Sequence, residues 1–104
     1  MSKFTDVMNN QVLRGMVLEI CQQAYPKGAS TELIRAALKQ QGHVLDGNEA
    51  TSLCSYLEGK GLVRIVNAKN EVLKINRDIA HITPKGIDVL EGTETADGIA
   101  LMGD

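Results

Sequence analysis

Two runs decide how this chain is read: Leu53-Cys54-Ser55-Tyr56-Leu57-Glu58-Gly59-Lys60-Gly61-Leu62-Val63 and, further along, Ile82-Thr83-Pro84-Lys85-Gly86. In the first, Leu53, Cys54 and Leu57 join Ala50 at helical spacing, so one face of a helix is apolar. Gly61 breaks that helix, and Leu62-Val63-Arg64-Ile65-Val66 continues as a β-branched strand. In the second run a strand gives way to a helix. Thr83 is placed to cap it, and Pro84 stands at its first position, where a missing N–H costs nothing. A helix-to-strand junction and a strand-to-helix junction therefore bracket a stretch of β structure.

Upstream, Leu13, Met16, Val17, Ile20 and Ala24 form one stripe at i, i+3, i+4, i+7 and i+11. This predicts a first helix that starts between Thr5 and Gln11 and is closed by Tyr25-Pro26-Lys27-Gly28. A second helix opens at Ser30 or Thr31, turns Leu33, Ile34, Ala37 and Leu38 inward, and ends at Gly42. Asp46 and Glu49 have the spacing of a capping box at the head of the third helix. Downstream, Asn67-Ala68-Lys69-Asn70 reads as a turn and Glu71 to Ile75 as a second strand. Asn76-Arg77-Asp78 reads as another turn and Ile79 to Ile82 as a third short strand. The last helix stops at Gly92. The expected organisation is one domain over residues 1–92 and a flexible acidic tail over 93–104, in which Ile99, Leu101 and Met102 form a small apolar group able to dock on a partner or fold back.

With 104 residues, 43% of them hydrophobic, the chain can build one aliphatic core without disulfides or metal. Cys21 and Cys54 read as two buried thiols of an intracellular, cytoplasmic protein. There is no secretory pattern at Met1 to Asn10 and no stretch long enough to span a bilayer. The net charge of -2 conceals an asymmetry: residues 1–87 carry all eleven Lys and Arg against eight acids, and residues 88–104 carry five acids and no base. Enzyme chemistry has no support. His43 and His81 lack partners at metal-ligand spacing, Cys21 has no base in sight, and Gly59-Lys60-Gly61 lacks phosphate-loop spacing. No cofactor or metal is expected.

The order helix, helix, helix, hairpin, helix, with the two quoted runs in those places, resembles bacterial winged-helix regulators of the MarR, PadR and ArsR-like groups. In them a "Leu-x-x-Leu…Gly-Leu-Val" run ends the recognition helix, and a "Leu-Thr-Pro-Lys-Gly"-type run leaves the wing. The resemblance covers residues 12–91 in element order. It implies an α+β, mostly α fold: a winged helix-turn-helix with a three-helix core, a β-hairpin wing and a short C-terminal helix. It further implies a bacterial or phage transcription regulator that binds double-stranded DNA.

By that resemblance the third helix would enter the major groove with Asn48, Thr51, Ser52 and Ser55, which can bond phosphates or base edges. Arg64, Lys69, Lys74 and Arg77 would approach phosphate or the minor groove from the wing. Arg35 and Lys39 would hold the backbone from the second helix. The third helix carries Glu49 and Glu58 and no base before Lys60. That departure from the regulators motivates the alternative, a winged-helix protein-interaction module or accessory subunit that does not bind DNA; a homodimer or a protein partner is a separate expectation.

Overall fold

The computed structural model describes residues 3–101; Met102 of the apolar tail group lies outside them. Helix α1 (Lys3–Gln23) is followed by a two-residue strand β1 (Ala29–Ser30), α2 (Thr31–Gln40) and α3 (Gly47–Gly59). Strands β2 (Val63–Asn70) and β3 (Ile75–Ile82) form a hairpin, and α4 (Pro84–Glu91) closes the domain. All strands pair antiparallel in the order β1-β3-β2.

The helix ends are set by local chemistry. Ser30, one of two candidate caps, accepts the Leu33 N–H at 3.1 Å. Asp46 accepts the Glu49 N–H at 2.8 Å while the Glu49 carboxylate accepts the Asp46 N–H at 3.0 Å, so the expected capping box is complete. Thr83 caps α4 by accepting the Gly86 N–H at 3.1 Å, with Pro84 at the head of the helix.

The core collects Leu13, Val17, Ile20 and Cys21 of α1, Ile34 and Leu38 of α2, and Leu53, Cys54 and Leu57 of α3. Leu62, Val63, Ala80 and Ile82 close it from the sheet side, and Val89 from α4. Helix α1 buries more than the single stripe read from its spacing, because Leu18 is also fully enclosed. Helix α2 buries less: Leu33, placed on the apolar face by its spacing, is 48% exposed, and the burial rests on Ile34 and Leu38. Cys21 and Cys54 are buried free thiols. Burial pushes Cys21 up to about 12, with Cys54 adding to the shift, and Cys54 up to about 11, with Asp78 adding to it.

The hairpin departs from the expected three short strands. Two eight-residue strands pair without a break from Val63↔Ile82 to Asn70↔Ile75, and the turn is Glu71 to Lys74. Asn67 sits inside the ladder because its side chain donates across the strands to Asn76 Oδ1 at 2.8 Å and Asp78 Oδ1 at 2.9 Å. Asn70 turns the chain: its Oδ1 accepts the Leu73 N–H at 3.0 Å, and Lys74 takes a positive φ of 55°.

The two runs that bracket the hairpin meet in space. The Thr83 N–H donates to Leu62 O at 3.0 Å and the Thr83 hydroxyl to Gly61 O at 2.7 Å. One threonine thus caps α4 and ties the start of β3's exit to the entry of β2.

The tail, expected to be flexible, lies across α1 and α3 as far as Leu101. The Ala100 N–H donates to Gln11 O at 3.0 Å, and Ala96 and Ile99 pack on the core. Among the described residues no helix is long and apolar enough to cross a membrane.

Candidate nucleic-acid interface

All ten residues singled out as nucleic-acid contacts are exposed: Arg35, Lys39, Asn48, Thr51, Ser52, Ser55, Arg64, Lys69, Lys74 and Arg77. They fall into three groups set by the fold. The first is the outer face of α3. Burying Ala50, Leu53, Cys54 and Leu57 forces Asn48, Thr51, Ser52 and Ser55 outward, because residues three and four apart share a helix face. This face is uncharged and rich in groups that both donate and accept.

The two glutamates of α3 occupy its flanks. Glu49 lines a cleft against Asn10, Leu13 and Arg14 of α1, and its carboxylate is engaged by the Asp46 N–H. Glu58 lies toward the sheet, where its carboxylate accepts the Ile65 N–H at 2.9 Å. Each acid is therefore held by a backbone donor beside the helix and does not stand in the middle of the exposed face.

The second group is on α2. The Arg35 Nε–H donates to Leu45 O at 3.0 Å and so latches the loop between α2 and α3. Lys39 shares a shallow cleft with Arg35, Glu32 and Val44. The Lys39 side chain makes no hydrogen bond or ion pair with the described residues, whereas Arg35 has a structural role as well.

The third group is the hairpin, and the register divides it. Paired residues share a face and successive residues alternate. Arg64 opposes His81 and Arg77 opposes Ala68, so both arginines are on the face away from the core. Lys69 opposes Asn76 on the other face, in line with Ile65, Ala80 and buried Ile82, and Lys74 stands in the turn. The four cations therefore surround the hairpin and do not form one stripe.

Sequence reading missed a cluster beside α3. The Arg14 guanidinium stacks on the Tyr56 ring at 3.6 Å and donates to Gly98 O at 3.1 Å, and Tyr56 donates to Asp97 O at 3.5 Å. Two glycines allow the tail this close. A Cβ on Gly15 would run into Ala100 O, and one on Gly98, where φ is +84°, would run into the Tyr56 hydroxyl. The only hint in the sequence was an arginine embedded among the apolar residues 12–18. Replacing Gly98 by Ala should loosen the tail alone. Its left-handed strain predicts about tenfold faster hydrogen exchange at the Ala100 amide, with the Leu62 amide unchanged.

A solved structure described as "PadR-like Transcription factor from bacteroid fragilis" superposes with a TM-score of 0.71 over 88% of this chain and 85% of that one, at 16% identity. This chain has a winged-helix fold. Its wing is the β2–β3 hairpin, and α3 is the third helix of its core. At that identity the likeness establishes architecture. No family model and no curated protein matches the sequence.

Proposed function

We propose that this winged-helix protein binds double-stranded DNA as a transcription regulator, with α3 in the major groove and the wing on the flanking backbone. The observation that carries the reading is the state of the α3 glutamates. Glu49 and Glu58 are tied to backbone N–H groups on the flanks, and Asn48, Thr51, Ser52 and Ser55 form an unobstructed, uncharged face between them. Side chains of this kind bond phosphates and base edges alike, and Asn is suited to the adenine edge. Lys69, Lys74 and Arg77 supply phosphate contacts from the wing, and Lys39 from α2. The likeness to a structure described as a PadR-like transcription factor supports the same reading. A cytoplasmic bacterial or phage setting and the absence of catalysis belong to this proposal too.

A mobility-shift titration on duplex DNA at several salt concentrations tests it. The slope of log affinity against log salt should be steep in the native protein. Replacing Lys69, Lys74 and Arg77 together by Ala should flatten the slope by about 2–3, since each neutralised phosphate contributes about 0.9. An unchanged slope removes the wing from the interface. Absence of binding at low salt, where charge attraction is strongest, removes DNA altogether. The second outcome would favour a protein partner, the reading that the lack of Lys or Arg within α3 supports.

A further inference from the structure

The tip of the wing carries a feature that phosphate binding does not need. Val72 is 90% exposed and Leu73 65% exposed, side by side, at the far end of the hairpin. Single exposed apolar residues are ordinary on a surface; here two lie side by side in the hairpin turn. The tip is also rigidly built. Strand pairing continues to Asn70↔Ile75, the Leu73 N–H is held by Asn70 Oδ1, and the Lys74 N–H donates to Glu71 O at 3.3 Å. Two N–H groups of the turn are thus engaged, and Val72 and Leu73 are both exposed there.

We propose that Val72 and Leu73 form an apolar wedge that enters the DNA minor groove next to the α3 site and partly unstacks one base step. The inference rests on the DNA-binding reading and adds a source of sequence preference to it. Charge selects this occupant. Residues 69–77 contain Lys69, Lys74 and Arg77 against Glu71 alone, so the apolar tip is surrounded by cations suited to the phosphates on both rims of a groove. Reach selects it as well. Eight paired residues extend about 26 Å from the end of α3 at roughly 3.3 Å each. The neighbouring minor groove lies about 17 Å along the duplex from a helix in the major groove, half of a turn of about 34 Å. Aliphatic side chains driven between bases cost stacking energy, which is smallest at flexible pyrimidine–purine steps. The protein would therefore favour sites by their deformability at a position where it makes no base-edge hydrogen bond.

The test uses the full chain, two 30-base-pair duplexes of equal composition and the double variant V72S/L73S. One duplex has TA and CA steps at the wing position, and the other has an unbroken A-tract there. Binding is measured at low salt, and duplex bending by energy transfer between labelled ends. The native protein should prefer the flexible duplex by about tenfold and bend it. The double variant should keep its melting temperature and salt slope but lose both preference and bend. Equal preference and bend in the two proteins overturn the wedge and leave the DNA reading standing, as does binding of both duplexes without preference. No binding to either duplex overturns both. Vesicles containing phosphatidylserine form a third arm. Vesicle binding that is lost in V72S/L73S, with DNA binding unaltered, would assign the tip to a membrane surface and overturn the wedge.

Discussion

Replacing Gly86 by Ala is expected to destabilise the protein by about 3 kcal/mol, at the upper end of what overpacking a core position usually costs. A Cβ at this position would be driven into the Leu62 carbonyl oxygen and would stand 2.8 Å from Cγ1 of Ile82. Neither neighbour can yield easily. Leu62 O already accepts the Thr83 N–H, and Ile82 is a core residue paired with Val63. Helix α4 would have to lift from the root of the wing. For a domain of this size the loss corresponds to a fall of about 15 °C in melting temperature. Gly59→Ala is the control. Gly59 is also helical, but nothing lies within 4 Å of where its Cβ would be, so that variant should gain about 0.5 kcal/mol from reduced backbone freedom in the unfolded chain. Thermal and urea melts of both variants check the pair. A Gly86→Ala protein that melts with the native one would mean that α4 does not pack on Leu62.

Leu57→Ala is expected to cost about 3 kcal/mol, in the usual range of 2–5 kcal/mol for a large aliphatic residue cut back in a core. Leu57 is fully buried on the inner face of α3, and its carbonyl accepts the Leu62 N–H at 3.0 Å where the chain leaves the helix for the wing. Truncation would leave a cavity under the helix whose outer face is proposed to read DNA. Urea denaturation gives the stability loss. A mobility shift performed well below the new melting temperature should also show weaker binding, although Leu57 faces away from any ligand. A loss below 1 kcal/mol would show that α3 settles into the space, and the link between core and interface would then fail.

The parts of this architecture that could be read in advance are those that neighbouring residues decide. The stripe Ala50, Leu53, Cys54, Leu57, the Asp46–Glu49 box and the Thr83-Pro84 start each depend on spacing within a few positions, and each is present. The hairpin turn was misplaced because Asn67 to Asn70 has turn-like composition, while the use of Asn67 depends on Asn76 and Asp78 across the ladder. Strand β1 went unseen because two residues, Ala29 and Ser30, carry no periodicity; they extend because β3 is there to pair with. Composition left the tail open to docking on a partner or folding back; where it folds back, its seat is built by Gly15, Arg14 and Tyr56, more than forty positions upstream.

The candidate interface was legible in its residues and illegible in its arrangement. Exposure of Asn48, Thr51, Ser52 and Ser55 follows from the stripe opposite them. The seat of Glu49 follows from the Asp46–Glu49 spacing, but that of Glu58 does not, because it depends on Ile65 beyond the helix-to-strand junction. Both acids stay exposed, but the fold seats them on the flanks of the helix, one completing a cap and the other accepting from a strand. The division of the wing cations between two faces likewise required the register, which depends on where the turn falls.

The bond from Glu58 to Ile65 has one more consequence. A three-stranded sheet has two borders at which another polypeptide could add itself and begin a chain of strands, the usual route to fibres. On one border β1 covers Ile79 and Ala80 with only Ala29 and Ser30, leaving the outer half of β3 unpaired on that side. On the other, near the root of β2, a carboxylate already holds the amide that an incoming strand would need. The glutamate on the flank of α3 thus also occupies, at the root of β2, one of the donors an added strand would have to reach.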